Sequence, residues 1–246
     1  MATKYPDRSP RWKWLEERGF RVLADPHQYE YMKALFAPPD EVQAVFCDSK
    51  AGTGKTTLAV LAGAFEVMAG KYDRIVYIRN AVPIREQGFL KGDLKEKEAP
   101  YMQPLADALE HVQPALYEKW TDEDGEEPPK VVTLTTSFAR GVNWKNAFII
   151  IDEAQSFDLE ELQAVYTRAH DSCKIVTIGS TRQIDNRKLK RINGLTPFEV
   201  YMLHFDGHDV TYHRLEKNYR GKFADHADDV SKTVQMLESG AFDDDD

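Results

Sequence analysis

Short apolar runs alternate along this chain with longer stretches in which apolar residues recur at helical spacing. The short runs predict buried strands at residues 44–47, 74–79, 131–135, 147–151 and 174–178. The longer stretches predict helices at residues 11–20, 26–36, 56–68, 100–111 and 158–170. The run at 147–151 is of the kind that is buried on both faces of a parallel sheet. The pattern therefore predicts the α/β class.

Three segments interrupt or precede this pattern. Residues 81–93 lack periodicity and are interpreted as an ordered surface loop. Residues 121–130 are acidic and contain Pro-Pro, which indicates a mobile insertion outside the core. Trp12 and Trp14 lie on the first helix, where they could stack on bases or pack on the core or on a neighbouring subunit.

Composition narrows the choice of partners. The chain has 246 residues, 42% of them hydrophobic, which is enough for one large domain with embellishments. Its formal net charge is −9, so a nucleic-acid contact would need a local basic patch. The cluster at 182–191, with five basic residues, could track a phosphodiester backbone or form a solvated loop. The acidic ending at 243–246 is interpreted as a solvated tail.

Cysteine usage and hydropathy bear on the compartment. The two cysteines, Cys47 and Cys173, fall in or beside predicted strands, which favours reduced core thiols over a disulfide framework. No apolar run approaches the ~18 residues of a membrane span. We therefore expect a soluble, unprocessed, cytoplasmic protein.

The segment at residues 44–58 is typical of a phosphate-binding loop between a strand and a helix. Gly52 and Gly54 allow a tight turn that aims backbone N–H groups inward, toward phosphate oxygens. Lys55 would reach the β and γ phosphates, and the Thr56 hydroxyl would bind Mg²⁺. The predicted nucleotide-binding loop comprises Ser49, Lys50, Ala51, Gly52, Thr53, Gly54, Lys55, Thr56 and Thr57.

Ser49 departs from the usual pattern, because a glycine normally begins the loop. The serine must tolerate the backbone of that turn, or the turn differs slightly. The alternative interpretation of the segment is a flexible Gly/Thr loop with a solvated lysine.

A second motif follows the strand predicted at 147–151. Asp152 could hold the Mg²⁺ that Thr56 also binds, and Glu153 could orient or deprotonate an attacking water. The alternative is a pair of carboxylates facing solvent at a strand end. Gln183, after the strand at 174–178, is a candidate sensor of the γ-phosphate. Arg79 ends another strand, where the carboxyl ends of a sheet face the ligand.

Gln28 and Tyr31 lie three residues apart on one face of the helix at 26–36. A glutamine can donate to and accept from an adenine edge, and a tyrosine can stack on the ring. The sequence therefore makes Gln28 a candidate for nucleotide binding.

Taken together, these motifs resemble those of PhoH-like proteins, in the same order and over most of residues 28–195. The matching motifs are Gln28-x-x-Tyr31, Ala51-Gly-Thr-Gly-Lys-Thr56, Arg79, Gly88-Phe-Leu90 with Gly92-Asp93, Pro100-Tyr101 with Asp107-Ala-Leu109, Arg140-Gly141, Asp152-Glu-Ala-Gln155 and Gln183-Ile-Asp185. The resemblance implies an ATPase that uses ATP and Mg²⁺. Its implied fold is a P-loop NTPase, with a RecA-like parallel sheet sandwiched between helices as in superfamily 1 helicases. Some relatives are linked to RNA unwinding or decay.

The resemblance has departures and one extension. Asn80 stands where the family has proline, and Ser180 where it has aspartate, which removes a carboxylate near the metal site. Leu215 to Arg220 resembles the Leu-x-x-Asn-Tyr-Arg motif of superfamily 1 helicases, in which the arginine reaches the γ-phosphate. Arg220 is therefore a candidate catalytic residue. We expect an extension at 1–24, the PhoH-like domain at 25–238 and an acidic tail at 239–246.

Three functions compete on this pattern. The first is an ATPase stimulated by single-stranded RNA or DNA, which would need self-assembly because the chain has room for one RecA-like domain. We expect such an assembly to be a homo-oligomeric ring, for instance a hexamer, in which one subunit supplies an arginine to its neighbour. The second is an ATP-switched scaffold with slow hydrolysis and a protein partner. A small-molecule kinase ranks last, because Glu153 is suited to activating water.

Overall fold

Six strands form one sheet in the computed structural model, which describes residues 10–80, 94–135, 142–181 and 190–239. The strands are β1 Ala44–Asp48, β2 Arg74–Arg79, β3 Val131–Thr135, β4 Ala147–Asp152, β5 Lys174–Gly179 and β6 Val210–His213. Their order is β3-β2-β4-β5-β1-β6, and all neighbouring pairs are parallel. The predicted parallel sheet is confirmed, and β6 is an additional edge strand.

Nine α-helices connect and cover the strands within the described ranges. They are α1 Pro10–Glu17, α2 Pro26–Phe36, α3 Lys55–Met68, α4 Leu94–Glu110, α5 Leu116–Thr121, α6 Leu159–Tyr166, α7 Pro197–His204, α8 Lys222–Asp228 and α9 Val230–Glu238. Short 3₁₀ turns lie at Val22–Ala24 and Ala154–Ser156.

Side chains of the central strand β4 alternate between two hydrophobic clusters, one on each face of the sheet. Phe148 and Ile150 join a cluster that includes apolar residues of α1 to α5. Ile149 and Ile151 join a cluster that includes residues of α6 and α7. Because successive side chains of a strand point to opposite faces, the continuous apolar run of β4 is buried on both sides. The sheet is therefore sandwiched between helices, as expected.

Several helices begin at sequence signals that the structure uses. The Asp25 carboxylate caps α2 by accepting hydrogen bonds from the backbone of His27 and Gln28. Asp158 and Glu161 form a reciprocal capping box at the start of α6.

Three helices differ from their predicted bounds. Helix α1 begins at Pro10 and ends at Glu17 instead of spanning residues 11–20, and Gly19, just beyond its end, has a φ of 85°. Helix α4 begins at Leu94 instead of residue 100 and contains Pro100 and Pro104. Helix α6 ends at Tyr166 instead of residue 170, because the chain beyond it pairs with Trp144, whose carbonyl accepts a hydrogen bond from the His170 N–H. Long-range pairing therefore overrides the local helical pattern there.

Both tryptophans of the first helix pack on the core. Trp12 is buried, with its ring centroid 5.2 Å from that of Tyr29, and Trp14 meets Phe65 edge-on at 5.3 Å. Packing thus accounts for these residues better than base stacking does.

Some of the remaining sequence predictions fall on residues that the structure describes, and others fall outside them. Cys47 and Cys173 are free and buried, as expected. No regular element lies between α5 and β3, so the acidic segment there is outside the core. The loop at 81–93, Arg140-Gly141, Gln183, most of the basic cluster and the acidic ending lie outside the described residues. Among the described helices, none is long and apolar enough to cross a membrane.

Candidate nucleotide-binding site

The loop between β1 and α3 turns through two glycines in left-handed conformations. Gly52 has a φ of 76° and Gly54 a φ of 84°. Helix α3 begins at Lys55, and its N-cap is Gly54, which has no side chain to occupy the first backbone N–H groups. A helix N-terminus of this kind favours phosphate, because its N–H groups and its dipole both attract anions.

Hydrogen bonds inside the loop hold its two functional side chains in place. The hydroxyl of Thr53 donates to the Lys50 carbonyl at 3.0 Å, and the Lys55 ammonium donates to the same carbonyl at 3.1 Å. Lys55 is buried. Its ammonium is therefore held over the loop instead of extending into solvent, which argues against the solvated-lysine interpretation.

The phosphate-binding loop and the end of β4 meet at Thr56 and Asp152. The Thr56 hydroxyl donates to Asp152 Oδ1 at 3.0 Å, and the Tyr77 hydroxyl donates to Asp152 Oδ2 at 2.5 Å. Burial, reinforced by the nearby carboxylate, raises the pKa of Tyr77 well above its usual value, so the phenol keeps its proton and donates. Both Asp152 oxygens are thereby oriented from β2 and α3.

Glu153 stands in a left-handed conformation, with a φ of 54°. Its carboxylate lies 3.6 Å from the Arg79 guanidinium and accepts a hydrogen bond from the Gln155 amide at 2.5 Å. Backbone strain of this kind in a residue with a side chain costs about 1–3 kcal/mol and is commonest at functional sites. The contact also brings Arg79 into the site, as its place at the strand end predicted.

Ser49 uses its hydroxyl at the position where a glycine is usual. Its Oγ accepts a hydrogen bond from the Leu215 N–H at 2.7 Å, and the residue is buried. Ser49 is not among the positive-φ residues of the described chain, so its backbone tolerates a side chain. The serine thus joins the loop to the C-terminal part of the domain.

Residues after Leu215 lie along the outside of the loop. The Asn218 amide donates to the Ala51 carbonyl at 3.1 Å, and the Tyr219 N–H donates to the Gly52 carbonyl at 2.8 Å. A Cβ on Gly52 would stand 2.7 Å from Asn218 Oδ1 and 3.0 Å from Arg220 Cγ. Arg220 therefore packs against the phosphate-binding loop of its own chain.

Lys50 is held away from the loop interior by two carboxylates of this C-terminal part. Its ammonium lies 3.0 Å from Asp229 and 3.4 Å from Asp225, and these hydrogen bonds raise the pKa of Lys50. Helix α8 is thus joined by charge to the loop that the sequence assigns to the nucleotide.

Gln28 and Tyr31 both contact the loop from α2. The Gln28 amide donates to the Thr53 carbonyl at 3.3 Å, and the Tyr31 hydroxyl donates to the Lys55 carbonyl at 3.3 Å. Tyr31 is fully buried, so the prediction that its ring could stack on a base is wrong. The spacing of Gln28 and Tyr31 predicted that both could contact a nucleotide. Helix α2 lies beneath the loop, however, and the Tyr31 ring is part of the hydrophobic core.

Known proteins match this chain over most of its length. The sequence model for PhoH-like protein matches residues 23–230. The chain belongs to the PhoH-like protein family. It is 36% identical over 160 residues to a PhoH-like protein of Synechocystis sp., covering 64% of this chain and 46% of that protein. It is 30% identical over 159 residues to Protein PhoH of Escherichia coli, covering 64% of this chain and 43% of that protein.

This PhoH-like chain spans about half the length of the curated relatives it matches. Among solved structures, the crystal structure of Pif1 helicase from Candida albicans superposes with a TM-score of 0.39 and 14% identity, over 87% of this chain and 43% of that one. Family membership, the parallel sheet and the glycine-containing loop make this a P-loop NTPase domain.

The family's Gly-Asp is Gly179-Ser180 in this PhoH-like chain. Ser180 is fully buried, its N–H donates to Gln155 Oε1 at 2.9 Å, and among described residues its hydroxyl has no hydrogen-bond partner. The next residue, Thr181, donates to the Asp48 carboxylate through both its N–H and its hydroxyl. Asp48, at the end of β1, therefore supplies a carboxylate at the edge of the sheet where the family has one at the end of β5.

The residues fit Mg²⁺ bound together with phosphates. The described chain has no group of three or more His, Cys, Asp or Glu that could hold a metal ion alone. Thr56 and Asp152 offer two oxygen ligands, and Mg²⁺ is usually held by one or two protein carboxylates, substrate phosphates and water. The site thus suits a metal that arrives with a nucleotide.

Sequence reasoning missed Tyr77 and the two acids that hold Lys50. Tyr77 was one apolar position in a buried strand, and its hydroxyl was the signal that could have marked it, because a buried phenol needs a hydrogen-bond partner. Asp225 and Asp229 had no such signal, because only the path of the chain after β6 brings them to the loop.

Proposed function

We propose that this chain hydrolyses ATP with Mg²⁺. The observation that carries the proposal is the hydrogen bond between Thr56 and Asp152, which joins a phosphate-binding loop to the acidic end of β4. Glu153 follows Asp152 in the chain, and its carboxylate lies 3.6 Å from the Arg79 guanidinium. A second carboxylate is therefore available beside the contact between Thr56 and Asp152. A phosphate cradle, a metal ligand and a base for water are the parts that nucleotide hydrolysis requires.

Each residue then has a role that follows from its position. The nucleotide would be bound by Gln28 and by the loop residues Ser49, Lys50, Ala51, Gly52, Thr53, Gly54, Lys55, Thr56 and Thr57. Thr56 and Asp152 would hold the metal, which would neutralise charge on the phosphates. Lys55 would contact the β and γ phosphates.

Glu153 would take a proton from water as the water oxygen bonds to the γ-phosphorus, while the bond from that phosphorus to the β–γ bridging oxygen breaks. The ADP oxygen carries away the electron pair. Gln183 would sense the γ-phosphate. Arg220 would complete the charge around the transferring group, and its packing against Gly52 supports action within its own subunit.

We further propose that the ATPase acts as a homo-oligomer, such as a ring or hexamer, on single-stranded RNA or DNA. Support comes from family membership and from the basic cluster, of which the described Lys190 and Arg191 are exposed. The overall charge of −9 limits such contact to local patches.

A second function, an ATP-switched scaffold, is favoured by one contact. Lys50 binds Asp225 and Asp229 of the C-terminal part, so a triphosphate would compete with two carboxylates for one ammonium. Nucleotide binding could then change how α8 is held and alter a partner's affinity.

The proposal is tested by ATP turnover with and without single-stranded RNA, on wild type and on Glu153→Gln. We expect this variant to lose turnover about 100-fold or more while still binding ATP, since it loses the base and the ion pair with Arg79 but keeps the phosphate-binding loop. Glu160→Gln makes the same change on the exposed face of α6 and should behave as wild type. Unchanged turnover in Glu153→Gln would contradict its role.

The nucleic-acid part has its own outcome. Stimulation by RNA or DNA at low salt that falls as salt rises would support it. Equal ATP turnover with and without RNA or DNA would contradict the proposed nucleic-acid stimulation but would not contradict ATP hydrolysis. A partner affinity that changes with ATP in their absence would favour the scaffold.

A further inference from the structure

Glu153, the proposed base, is held at both oxygens of its carboxylate. Its Oε1 lies 3.6 Å from the Arg79 guanidinium, and its Oε2 accepts a hydrogen bond from the Gln155 amide at 2.5 Å. The side chains of Arg79 and Glu153 are only 20% and 31% exposed, so solvent screens their ion pair less than it screens a pair on the surface. The two contacts give the carboxylate a defined direction.

These two contacts depend on the strands on either side of β4. Arg79 ends β2, where it is in register with Asp152 at the end of β4. Gln155 is fixed from the other side, because its Oε1 accepts a hydrogen bond at 2.9 Å from the N–H of Ser180, which directly follows β5. A backbone N–H can only donate, so the amide oxygen must face Ser180 and the NH₂ group must face Glu153. Groups fixed by β2 and by β5 thus contact Glu153 from opposite sides.

Other contacts hold the backbone of Glu153. Its carbonyl accepts hydrogen bonds from the Ser156 N–H at 2.9 Å and from the Ser156 hydroxyl at 2.7 Å. The Ser156 carbonyl in turn accepts a hydrogen bond from the Asn80 amide at 2.8 Å. Because these bonds support the left-handed turn at Glu153 without Arg79, the guanidinium acts on the side chain of Glu153 and not on its backbone.

Arg79 is itself anchored to a helix. Its Nη1 donates to the Tyr101 carbonyl of α4 at 3.1 Å, while its Nη2 faces Glu153. A guanidinium is a rigid planar fork, so a bond that fixes one nitrogen also fixes the direction of the other. Tyr77 lies two residues earlier, on the same face of β2, and orients Asp152 through its hydroxyl. One strand therefore directs both consecutive acids, Asp152 and Glu153.

We propose that Arg79 is a positioning residue, which holds the Glu153 carboxylate in the direction from which it takes a proton from the attacking water. The inference rests on the proposed function, in which Glu153 is that base. Arg79 acts through Glu153 and has no separate role at the phosphates. A misplacement of about 1 Å in a reacting group can cost about 100-fold in rate. Arg79 should therefore affect kcat much more than it affects substrate binding.

Steady-state ATP turnover of Arg79→Met measures this difference, because methionine is unbranched and flexible like arginine but has neither its charge nor its donors. We expect kcat to fall about 10- to 100-fold, while KM for ATP and the Mg²⁺ concentration for half-maximal turnover change by less than about two-fold. A change in KM as large as the change in kcat, together with a lower thermal midpoint, would show a structural role and overturn the proposal. Arg74→Met is the matched control, because it makes the same substitution at the opposite end of β2, and it should behave as wild type.

A double-variant cycle shows whether Arg79 acts through Glu153. Once Glu153→Gln has removed the base, adding Arg79→Met should lower the residual turnover by less than about two-fold. A further loss as large as that of Arg79→Met alone would mean that Arg79 contacts the phosphates itself, and it would overturn the proposal.

Crystal structures of wild type and of Arg79→Met give a readout that does not depend on turnover. We expect the Glu153 side chain to adopt one conformation in the wild type and several in the variant. Loss of turnover in Glu153→Gln, with an unchanged Glu153 conformation in Arg79→Met, would overturn the positioning role alone. Full turnover in Glu153→Gln would contradict the proposed base itself, whatever the conformation of its side chain.

Discussion

Thr56 Oγ1 lies 3.0 Å from Asp152 Oδ1, although 96 positions separate the two residues. They reach one another across β5, which lies between β1 and β4 in the sheet. The carboxyl ends of parallel strands share one edge, so the loop after β1 and the acid ending β4 can meet above the intervening strand. This contact is the geometric basis of the proposed metal site.

Replacing Tyr77 with phenylalanine should raise the Mg²⁺ concentration needed for half-maximal ATP turnover by about ten-fold. Loss of a residue that orients a metal ligand typically weakens metal affinity by about 10- to 100-fold, and we expect an effect at the lower end of that range. The variant leaves Asp152 in place but removes the hydrogen bond that fixes its second oxygen. A Mg²⁺ titration of turnover measures the effect. Tyr212→Phe, which loses a hydroxyl bond to the Met202 carbonyl, is the control and should leave the titration unchanged.

Gly52→Ala should weaken ATP binding by about ten-fold or more, because its Cβ would stand 2.7 Å from Asn218 Oδ1 and push the C-terminal segment off the loop. Gly70→Ala shares the left-handed backbone, with a φ of 73°, but has open space around its Cβ. Gly70→Ala should lose about 1 kcal/mol of unfolding free energy through its left-handed backbone, and Gly52→Ala should lose more, because its Cβ also clashes with Asn218. Equal ATP affinity in the two would show that the contact with Asn218 is unimportant for binding.

Asp229→Asn should tighten ATP binding by roughly two- to five-fold. The change removes a negative charge near the phosphate-binding loop and one of the two carboxylates that hold the Lys50 ammonium, the one at 3.0 Å, and leaves Asp225 at 3.4 Å. Isothermal titration with a slowly hydrolysed ATP analogue measures it, and the gain should shrink at high salt. Asp206→Asn removes an exposed charge elsewhere and should change little. Weaker binding in Asp229→Asn would mean that the acid supports the site.

Lys174 gives the stability of the protein a specific pH dependence. Burial lowers the pKa of Lys174 to about 7, although Glu66 and Glu41 oppose the shift. Between about pH 7 and pH 10 the unfolded chain therefore binds more protons than the folded one, so the free energy of unfolding rises with pH in this window. Below pH 7 both states are protonated and the contribution is constant.

Lys174→Met removes this titration. Compared with the variant, wild type should gain about 1 kcal/mol of unfolding free energy per pH unit between about pH 7 and pH 9. Urea unfolding at several pH values measures the difference between the two proteins. The lost hydrogen bonds to the Ala37 and Val42 carbonyls add an offset that does not vary with pH. Parallel curves for the two proteins would contradict a lowered pKa.

Local sequence predicted five of the six strands, five of the nine described α-helices and the candidate chemistry of this protein; β6, α5, α7, α8 and α9 were not predicted. The bounds of β2 and β3 were predicted in full, because both are short runs rich in the β-branched residues that favour strands. The loop around Gly52 and Gly54 was recognisable because its backbone requires residues without a side chain.

Only the tertiary structure decided which elements meet. Residues far apart in sequence set the strand order and the hydrogen bond from Tyr77 to Asp152. The same is true of the ion pairs that Asp225 and Asp229 make with Lys50. Hydrophobic periodicity indicates which face of a helix or strand is buried, but it does not indicate which other element packs against that face. The strand order places β2, with Tyr77, beside β4 and brings the chain after β6 to a loop that the sequence had already marked.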